Sequence, residues 1–270
     1  MQNDHHSWVR QIGRLRVEWV ASTDSTNLEL MRRPTLVPAG EPAADAVWLM
    51  AHEQTAGRGR RGKAWAAMTG GALTASFARD LPAGFSAGMA TVPLVTAIVI
   101  AEHLDAQGLA VGIKWPNDLC VVRPDEGQPF AKVGGILCEM RSHGRGARLV
   151  IGCGLNVRAF PPELKSDLPA AALYGEQAPV DIQSLAMALG EAVFQGSEQL
   201  LNEGFQPFMR RWHRFDLLAG WPVRIHRQDG YRDGVALGID ESGRLRTRFD
   251  DTPCEIVSLM AEQISVRPRR

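Results

Sequence analysis

The chain has 270 residues, of which 45% are apolar and 22% are charged, and its 30 basic and 30 acidic side chains leave a formal net charge of zero at pH 7. This composition is ordinary for a globular protein with one large domain, or with a large and a small domain. Nucleic-acid-binding proteins are usually basic overall, so any function that needs positive charge must be local in this chain. The longest apolar run, around Val92 to Ala101, is too short to span a bilayer, and we expect no membrane association.

The four cysteines are scattered along the chain and form no C-x-x-C pair. None has a spacing to histidine that is typical of a zinc site. We therefore expect free thiols, the usual state of cysteine in a reducing compartment, and a cytoplasmic location.

The first structural signals lie in the N-terminal fifth of the chain. Val17 to Val20 indicates a short strand, and Asp24-Ser25-Thr26-Asn27 precedes an apolar run with helical spacing. Such a polar quartet typically caps a helix. Alternatively, its hydroxyls and the free N–H groups of the first helical turn bind a polar ligand group. Ala46 to Ala51 is continuously apolar, which predicts a central strand.

The stretch Gly57-Arg58-Gly59-Arg60-Arg61-Gly62-Lys63 contains three glycines, four cations and no acid. Glycine lets the backbone approach a ligand closely, and arginine has a fork of donors that suits carboxylate and phosphate. The loop therefore favours an anionic ligand. Its glycines also satisfy the dinucleotide fingerprint G-x-G-x-x-G, but the next strand, Ala72 to Ala78, begins too soon for the helix that this motif requires. A solvated basic loop that contacts nucleic acid nonspecifically is the alternative.

Met89 to Gln107 has the spacing of a helix, with Pro93 in its first turn and Gly108 as its C-terminal cap. The next strand, Val111 to Trp115, runs into Lys114-Trp115-Pro116-Asn117-Asp118. Proline and the Asn-Asp pair favour a tight turn here. The turn is either a simple hairpin connection or a place where lysine and aspartate contact phosphate and metal.

Two further apolar strands, Lys132 to Met140 and Leu149 to Val157, contain Gly134-Gly135 and Gly152-Cys153-Gly154. Glycine weakens a strand unless something approaches the backbone closely. The two strands therefore indicate either a groove along the sheet face or bulges that curve the sheet.

In the last third of the chain, the sequence pattern changes from helical spacing to short alternating runs. A long helix is predicted from Asp181 to about Asn202, and a short one from Phe205 to Arg214. After Gly220 come short alternating runs separated by turn dipeptides, which predict a small all-β barrel. We predict an α+β fold with two domains, residues 1–218 and residues 219–270.

Five motifs together resemble those of the biotin–protein ligases. They are D-S-T-N at Asp24, G-R-G-R-R-G at Gly57, K-W-P-N-D at Lys114, K-V-G-G-I-L at Lys132 and G-C-G-L-N at Gly152. They occur in the family's order and spacing, and the resemblance extends from about Val17 to Val266. It implies a mixed-sheet catalytic domain of the biotin/lipoate ligase type followed by a small C-terminal SH3-like β-barrel.

The resemblance also implies a reaction. Members of the family join the carboxylate of biotin to the α-phosphate of ATP, with Mg²⁺, and transfer biotin from the biotinyl-5′-AMP intermediate to a lysine of a carrier domain. The expected partner is the biotin carboxyl carrier domain of acetyl-CoA carboxylase or of a related carboxylase. Too few residues precede the first motif for a helix-turn-helix domain, so we expect no specific DNA binding. A homodimer is possible within this family.

The site residues implied by the resemblance fall into three groups. Lys132, Arg60, Asp118 and Lys114 are expected to take part in catalysis, and Asp118 also to bind Mg²⁺. The residues expected to bind biotin or the nucleotide are Ser25, Thr26, Asn27, Gln54, Gly57, Arg58, Gly59, Arg60, Arg61, Trp65, Asn117, Lys132, Gly134, Gly135 and Asn156. Trp65 resembles the aromatic residue that packs on adenine, whereas Ala64 and Ala72 depart from the larger or polar residues expected beside it.

Two other functions stay open at this point. A lipoate ligase or octanoyltransferase shares the catalytic fold, although G-R-G-R-R-G with K-W-P-N-D favours biotin. A noncatalytic nucleic-acid-binding protein would use the arginine-glycine loop, but the neutral net charge and the two tyrosines of the chain disfavour it.

Overall fold

The computed structural model describes residues 7–82, 89–122, 129–144, 146–161, 168–227, 230–261 and 264–269. Its helices are α1 (Thr26–Arg32), α2 (Val92–Ala106), α3 (Ile182–Glu203) and α4 (Gln206–Phe215). Its strands are β1 (Trp8–Ile12), β2 (Leu15–Thr23), β3 (Ala46–Gln54), β4 (Ala72–Pro82), β5 (Gly112–Lys114), β6 (Asp118–Val122), β7 (Phe130–His143), β8 (Gly146–Asn156), β9 (Pro222–Arg227), β10 (Gly230–Ile239), β11 (Leu245–Phe249), β12 (Ile256–Leu259) and β13 (Ser265–Pro268).

The strands form two sheets. The large sheet has eight strands in the order β1-β2-β3-β4-β8-β7-β6-β5, and the small sheet has five in the order β12-β11-β10-β9-β13. The β2–β3 pair is parallel, whereas β3–β4, β4–β8 and β7–β8 are antiparallel, so the large sheet is mixed. The predicted α+β fold with a mixed sheet is confirmed, and β3 is a central strand as its apolar sequence indicates.

The chain divides into two compact units. The first comprises Met1–Ala87, Val133–Lys165 and Ala170–Gly196, and the second comprises Gly88–Lys132, Ser166–Pro169 and Ser197–Arg270. The predicted domain boundary at residue 218 stays a prediction. Within the described part of the chain, we find no helix with the length and apolar character needed to cross a membrane.

In the first unit, helix α1 packs on β3, β4 and β8. The buried side chains between them are Leu30, Leu36, Val47, Leu49, Ala78 and Val150. Ser25 is the N-cap of α1, and its hydroxyl accepts a hydrogen bond from the N–H of Leu28. The capping prediction for this polar quartet is therefore confirmed, and the cap fixes where the helix begins above the sheet.

The other end of α1 is held by a buried arginine. The Arg148 side chain, only 3% exposed, pairs with Asp80 through two hydrogen bonds of 2.8 and 3.0 Å. It also donates to the carbonyl oxygens of Leu30 and Arg33, which lie at the end of the helix. Arginine suits this position because its charge offsets the negative end of the helix and its donors satisfy carbonyls that have no helical partner.

In the second unit, α2 and α4 are neighbours and are joined by ion pairs of Arg211 with Glu102 and of Arg214 with Asp105. Pro93 lies in the first turn of α2, and Gly108 has a φ of +79° just after its end, as predicted. The small sheet is antiparallel, and the turn at Gly243 connects β10 with β11. Its strand order ends at β12 and β13, so closure into a barrel stays a prediction.

Strands β1 and β13 have no counterpart in the sequence prediction. β1 pairs antiparallel with β2, and the Trp8 ring stacks on Trp19 with 6.5 Å between the ring centroids. Both strands are short, and β1 has no buried residue, so neither shows the apolar alternation by which strands are recognised. They form because a longer neighbouring strand offers its backbone groups for pairing.

We expect Arg148→Met to lower the free energy of unfolding by about 2–3 kcal/mol, because two carbonyl oxygens near the end of α1 lose their donor. Arg14→Met is the matched control: Arg14 pairs with Asp45, but its side chain is 69% exposed. That substitution should cost less than about 1 kcal/mol. Urea unfolding of the three proteins measures both values, and equal losses would contradict the role given to Arg148.

Candidate active site

The glycine-arginine stretch forms a tight hairpin. The N–H of Trp65 donates to the Gly57 carbonyl at 2.9 Å, and the N–H of Gly59 donates to the Lys63 carbonyl at 2.7 Å. The tip is a 3₁₀ turn over Arg60–Gly62, in which Arg61 has a φ of 55°. A non-glycine residue in this left-handed region costs roughly 1 kcal/mol or more, so the pairing of the two arms must hold the turn in place.

One cation of the hairpin has an acidic partner that the sequence prediction did not foresee. Arg58 lies 3.0 Å from Glu139 on β7, with its side chain 42% exposed. The stretch itself contains no acid, so this partner comes from elsewhere in the chain. Arg60 lies close to Cys138 on the same strand: burial and Cys153 raise the pKa of that thiol, and the Arg60 guanidinium opposes the rise.

Gln54 at the end of β3 is fixed by the first turn of α1. Its Oε1 accepts a hydrogen bond of 2.8 Å from the backbone N–H of Thr26 and lies 3.0 Å from the Thr26 hydroxyl. The structure thus brings together Ser25, Thr26 and Gln54, which the resemblance assigns to one site. Ser25 and Thr26 are only 2% and 3% exposed, and the described contacts give them structural roles as well.

A buried polar chain continues from Thr26 to the hairpin. The Thr26 hydroxyl lies 2.6 Å from Ser76 Oγ, which donates to Asn27 Oδ1 at 2.5 Å. Asn27 Nδ2 in turn donates to Glu139 at 2.9 Å. Sequence reasoning missed Ser76 and Glu139. Each is a polar or acidic residue inside an otherwise apolar strand, and this pattern could have identified them. Burying such a side chain is unfavourable unless it is hydrogen-bonded.

The glycines of β8 make room for two side chains. A Cβ atom on Gly152 would lie 2.4 Å from Asn27 Oδ1, and one on Gly154 would lie 2.4 Å from the Trp65 ring. The register of β8 with β4 and β7 is unbroken, so the bulge alternative is wrong. The close approach that the glycines indicated is confirmed, and in this structure the approaching groups are Asn27 and the Trp65 indole.

The remaining glycines and Asn156 lie around the same patch of sheet. Gly135 is directly opposite Gly154, so the sheet beside Trp65 presents bare backbone at this pair. Gly134 is opposite Leu155 on the other face, where the Leu155 side chain fills the space over it. Asn156 is 2% exposed, and its Nδ2 donates to the Ala171 carbonyl at 3.1 Å. Its Oδ1 is buried and has no hydrogen-bond partner among the described residues, which leaves an acceptor available to a ligand.

In the second unit, two lysines share one carboxylate. Lys132 Nζ lies 2.5 Å from Asp118 Oδ1, and Lys114 Nζ lies 3.4 Å from Asp118 Oδ2. Lys114 and Asp118 are opposite each other in the β5–β6 hairpin, whose turn is the Trp115-Pro116-Asn117 stretch. The turn is anchored by the indole N–H of Trp115, which donates to the Gly243 carbonyl. The structure confirms the hairpin turn, and it also groups its lysine and aspartate with Lys132.

Asp118 is ionised over the whole physiological range. Burial alone would raise its pKa, but the ammonium groups of Lys132 and Lys114 outweigh burial and lower the pKa from 3.8 to about 2. Behind it, burial and the Asp118 charge raise the pKa of Cys120 to about 12, so this thiol is not a nucleophile. All four cysteines are free, as predicted.

The donor set around Asp118 does not fit a resident magnesium ion. Each carboxylate oxygen already faces an ammonium group, and the described residues contain no cluster of three or more acidic, histidine or cysteine side chains. Magnesium in proteins is bound by carboxylates together with phosphates and water. Asp118 as a metal ligand therefore stays a prediction of the resemblance.

We expect the ion pairs of Asp118 to stabilise the fold in a pH-dependent way. Because the folded-state pKa lies below the ordinary value, the stabilisation is complete above about pH 4 and is lost as the pH falls towards about 2. The loss between pH 5 and pH 3 should be about 1 kcal/mol. Urea unfolding of the wild type and Asp118→Asn at both pH values measures it, since the gap between the two proteins should narrow by that amount. An unchanged gap would contradict the lowered pKa.

Comparison with known proteins places these features in a family. The model of the biotin/lipoate A/B protein ligase family matches residues 41–156, which include the hairpin and the lysine–aspartate cluster. A biotin–[acetyl-CoA-carboxylase] ligase of Paracoccus denitrificans is 32% identical over 85% of this chain and 92% of its own length. The bifunctional ligase/repressor BirA of Escherichia coli is 32% identical over 90% of this chain and 72% of its own length.

The fold has the same relatives. The biotin protein ligase of Aquifex aeolicus, in a structure with biotin and ATP, superposes with a TM-score of 0.74 at 24% identity, over 94% of this chain and 99% of that one. The similarity in sequence extends through both units, and the similarity in structure covers nearly all of each chain. The chain therefore belongs to the biotin/lipoate A/B protein ligase family, and within that family to the biotin–protein ligases, which are enzymes.

Proposed function

We propose that the protein uses ATP to join biotin, through biotinyl-5′-AMP, to a lysine of a biotin carboxyl carrier domain. The observation that carries the proposal is the Gly57–Trp65 hairpin. It presents arginines, which suit carboxylate and phosphate, and ends in an indole that lies on bare sheet. A nucleotide joined to an acid needs both kinds of contact. The family relationship supports the same reaction.

In the first step, a carboxylate oxygen of biotin attacks the α-phosphorus of ATP, and the bond to pyrophosphate breaks. Both reactants are anions, so cations must offset their repulsion and the charge that develops on the phosphoryl oxygens. We assign this role to Arg60 for the carboxylate side and to Lys132 and Lys114 for the phosphates. Asp118 holds the two ammonium groups at fixed positions before the nucleotide binds.

In the second step, the amine of the carrier lysine attacks the carbonyl carbon of the mixed anhydride, and AMP leaves. The attacking amine must be neutral, so it has to lose a proton. Asp118, with a pKa of about 2, is too weak a base to take that proton at neutral pH. We therefore assign to Asp118 the orientation of the lysine, with water as the proton acceptor.

Ligand selection follows from the polar groups of the first unit. Ser25, Thr26 and Gln54 offer hydroxyl and amide groups to the ring system of biotin, while Trp65 offers a ring face to adenine. The unpartnered Asn156 Oδ1 suits an amino group such as that of adenine. Asn117 is assigned to the phosphates, beside Lys114.

The proposal also covers the protein that accepts biotin and the compartment in which the reaction takes place. The Paracoccus relative is named for acetyl-CoA carboxylase, which supports a carboxylase carrier domain as the second substrate. Four free cysteines, of which Cys120 and Cys153 are buried, support action in a reducing cytosol. A homodimer and the absence of specific DNA binding stay predictions.

Intact-mass measurement of a carrier domain incubated with the protein, ATP, Mg²⁺ and either biotin or lipoate tests the function. We expect a gain of one biotinyl group with biotin only. Lys132→Ala should reduce the rate on the order of 100-fold, because the phosphates lose a fixed cation. An increase in the mass of the carrier domain with lipoate would indicate a lipoate ligase of the same family. No increase in mass with a folded wild-type protein would overturn the proposal.

Gly154→Ala and Gly152→Ala form a matched pair. Gly154→Ala should displace Trp65 and raise the KM for ATP about tenfold, which corresponds to ~1.4 kcal/mol. The KM for biotin should change little. The second should displace Asn27 and raise the KM for biotin instead. Steady-state kinetics with each substrate varied in turn measures both effects. The assignment of the two glycines would be wrong if both variants affected the two substrates equally.

A further inference from the structure

Glu139 connects two elements that are far apart in sequence. One of its carboxylate oxygens lies 3.0 Å from the Arg58 guanidinium, and the other accepts a hydrogen bond of 2.9 Å from Asn27 Nδ2. Arg58 belongs to the hairpin, and Asn27 lies in the first turn of α1. The Glu139 side chain is 23% exposed, so this carboxylate is partly shielded from solvent while it holds both partners.

The hydrogen bonds that lead to Glu139 have one consistent direction. Ser76 gives its single hydroxyl proton to Asn27 Oδ1, so Ser76 can only accept in its 2.6 Å contact with Thr26. The single Thr26 hydroxyl proton is then shared between Ser76 Oγ and Gln54 Oε1. The reverse direction would require the carbonyl oxygen of Asn27 to donate, which is impossible. Acceptors beyond Asn27 Nδ2 keep the Asn27 amide in this orientation: the Leu137 carbonyl at 3.4 Å and the Glu139 carboxylate at 2.9 Å. The carboxylate makes the shorter contact, and an ionised carboxylate is solely an acceptor.

The backbone of Thr26 sets the orientation of Gln54. Because Gln54 Oε1 faces the N–H of Thr26, the amide nitrogen of Gln54 faces the other way, towards Gly57. A Cβ atom on Gly57 would lie 3.2 Å from that nitrogen. The donor of Gln54 is therefore directed to the base of the hairpin, where the resemblance expects biotin.

Charge explains why an acid is needed rather than another acceptor. The hairpin carries Arg58, Arg60, Arg61 and Lys63 within a few residues, and they repel one another. A carboxylate offsets this repulsion for Arg58, whereas a neutral amide would not. An exposed ion pair contributes at most about 1 kcal/mol to stability, so its main effect is on local geometry rather than on the fold.

We infer that Glu139 is a positioning residue of the biotin side of the site. It holds the Gly57–Trp65 hairpin through Arg58 and the start of α1 through Asn27, so both are in place before ligand binds. It contacts no reacting atom. This inference rests on the proposed function for its effect on biotin, but the effect on the hairpin does not depend on that function.

Two readouts test it, and the first needs no activity. Trypsin cleaves after arginine and lysine, so limited proteolysis reports how often the hairpin opens. Glu139→Gln should speed cleavage within residues 58–63 about tenfold in the absence of ligand. Glu29→Gln is the control, because Glu29 pairs with Arg33 on α1 and is 41% exposed. Unchanged cleavage in Glu139→Gln would overturn the inference, even if the wild type proved inactive as a ligase.

The second readout is kinetic. Glu139→Gln should raise the KM for biotin about tenfold and change kcat less than about twofold, because only the binding geometry is lost. Glu139→Asp should recover part of the affinity. Combining Glu139→Gln with Arg58→Met should cost less than the sum of the two single changes, since Glu139 acts partly through Arg58 and partly through Asn27. Full additivity, or a loss confined to kcat, would contradict the positioning role. Failure of the wild type to ligate biotin would instead contradict the proposed function.

Discussion

Positive charges placed close together repel one another unless an acid lies between them, and each of the two units contains a cluster arranged around this repulsion. Asp118 lies between Lys132 and Lys114 in the second unit, and Glu139 pairs with Arg58 in the first. In the lysine cluster one negative charge faces two positive charges, so a positive charge remains for an anion. Asp118 thus fixes the two lysines in position without using up their attraction for phosphate, whereas Glu139 neutralises Arg58 and holds it in place. Such groups need little rearrangement when a ligand arrives.

Buried polar side chains fix the start of α1 relative to the neighbouring strands of the first unit. Thr26, Asn27 and Ser76 are at most 3% exposed, and burying their polar atoms would be unfavourable without hydrogen bonds. Ser76 donates to Asn27, and Asn27 donates to Glu139, so reversing these bonds would leave at least one buried group without a partner. A packed apolar cluster could tolerate several arrangements with similar energy. This polar chain tolerates fewer, because each buried donor and acceptor needs a partner.

Much of this arrangement could be predicted from the sequence, because local signals dominate. The cap at Ser25, the apolar β3, the helix stop at Gly108 and the turn around Pro116 depend on neighbouring residues. What could not be predicted depends on pairing across the fold. Ser76 and Glu139 look like isolated polar residues in apolar strands, and only the registers of β4 and β7 bring them to Asn27. β1 and β13 likewise form because a neighbouring strand accepts them, and their own composition does not indicate strands.

The glycines of β8 restrict how this sequence can change over evolutionary time. Gly152 and Gly154 each lie against one side chain, Asn27 and Trp65 respectively, which come from other elements of the chain. A larger residue at either glycine is tolerable only after its partner has become smaller. A smaller partner, in turn, leaves a gap while the glycine is still present. Either order passes through a less favourable intermediate, so we expect each pair to be inherited together or replaced together, and the two pairs to vary independently of each other.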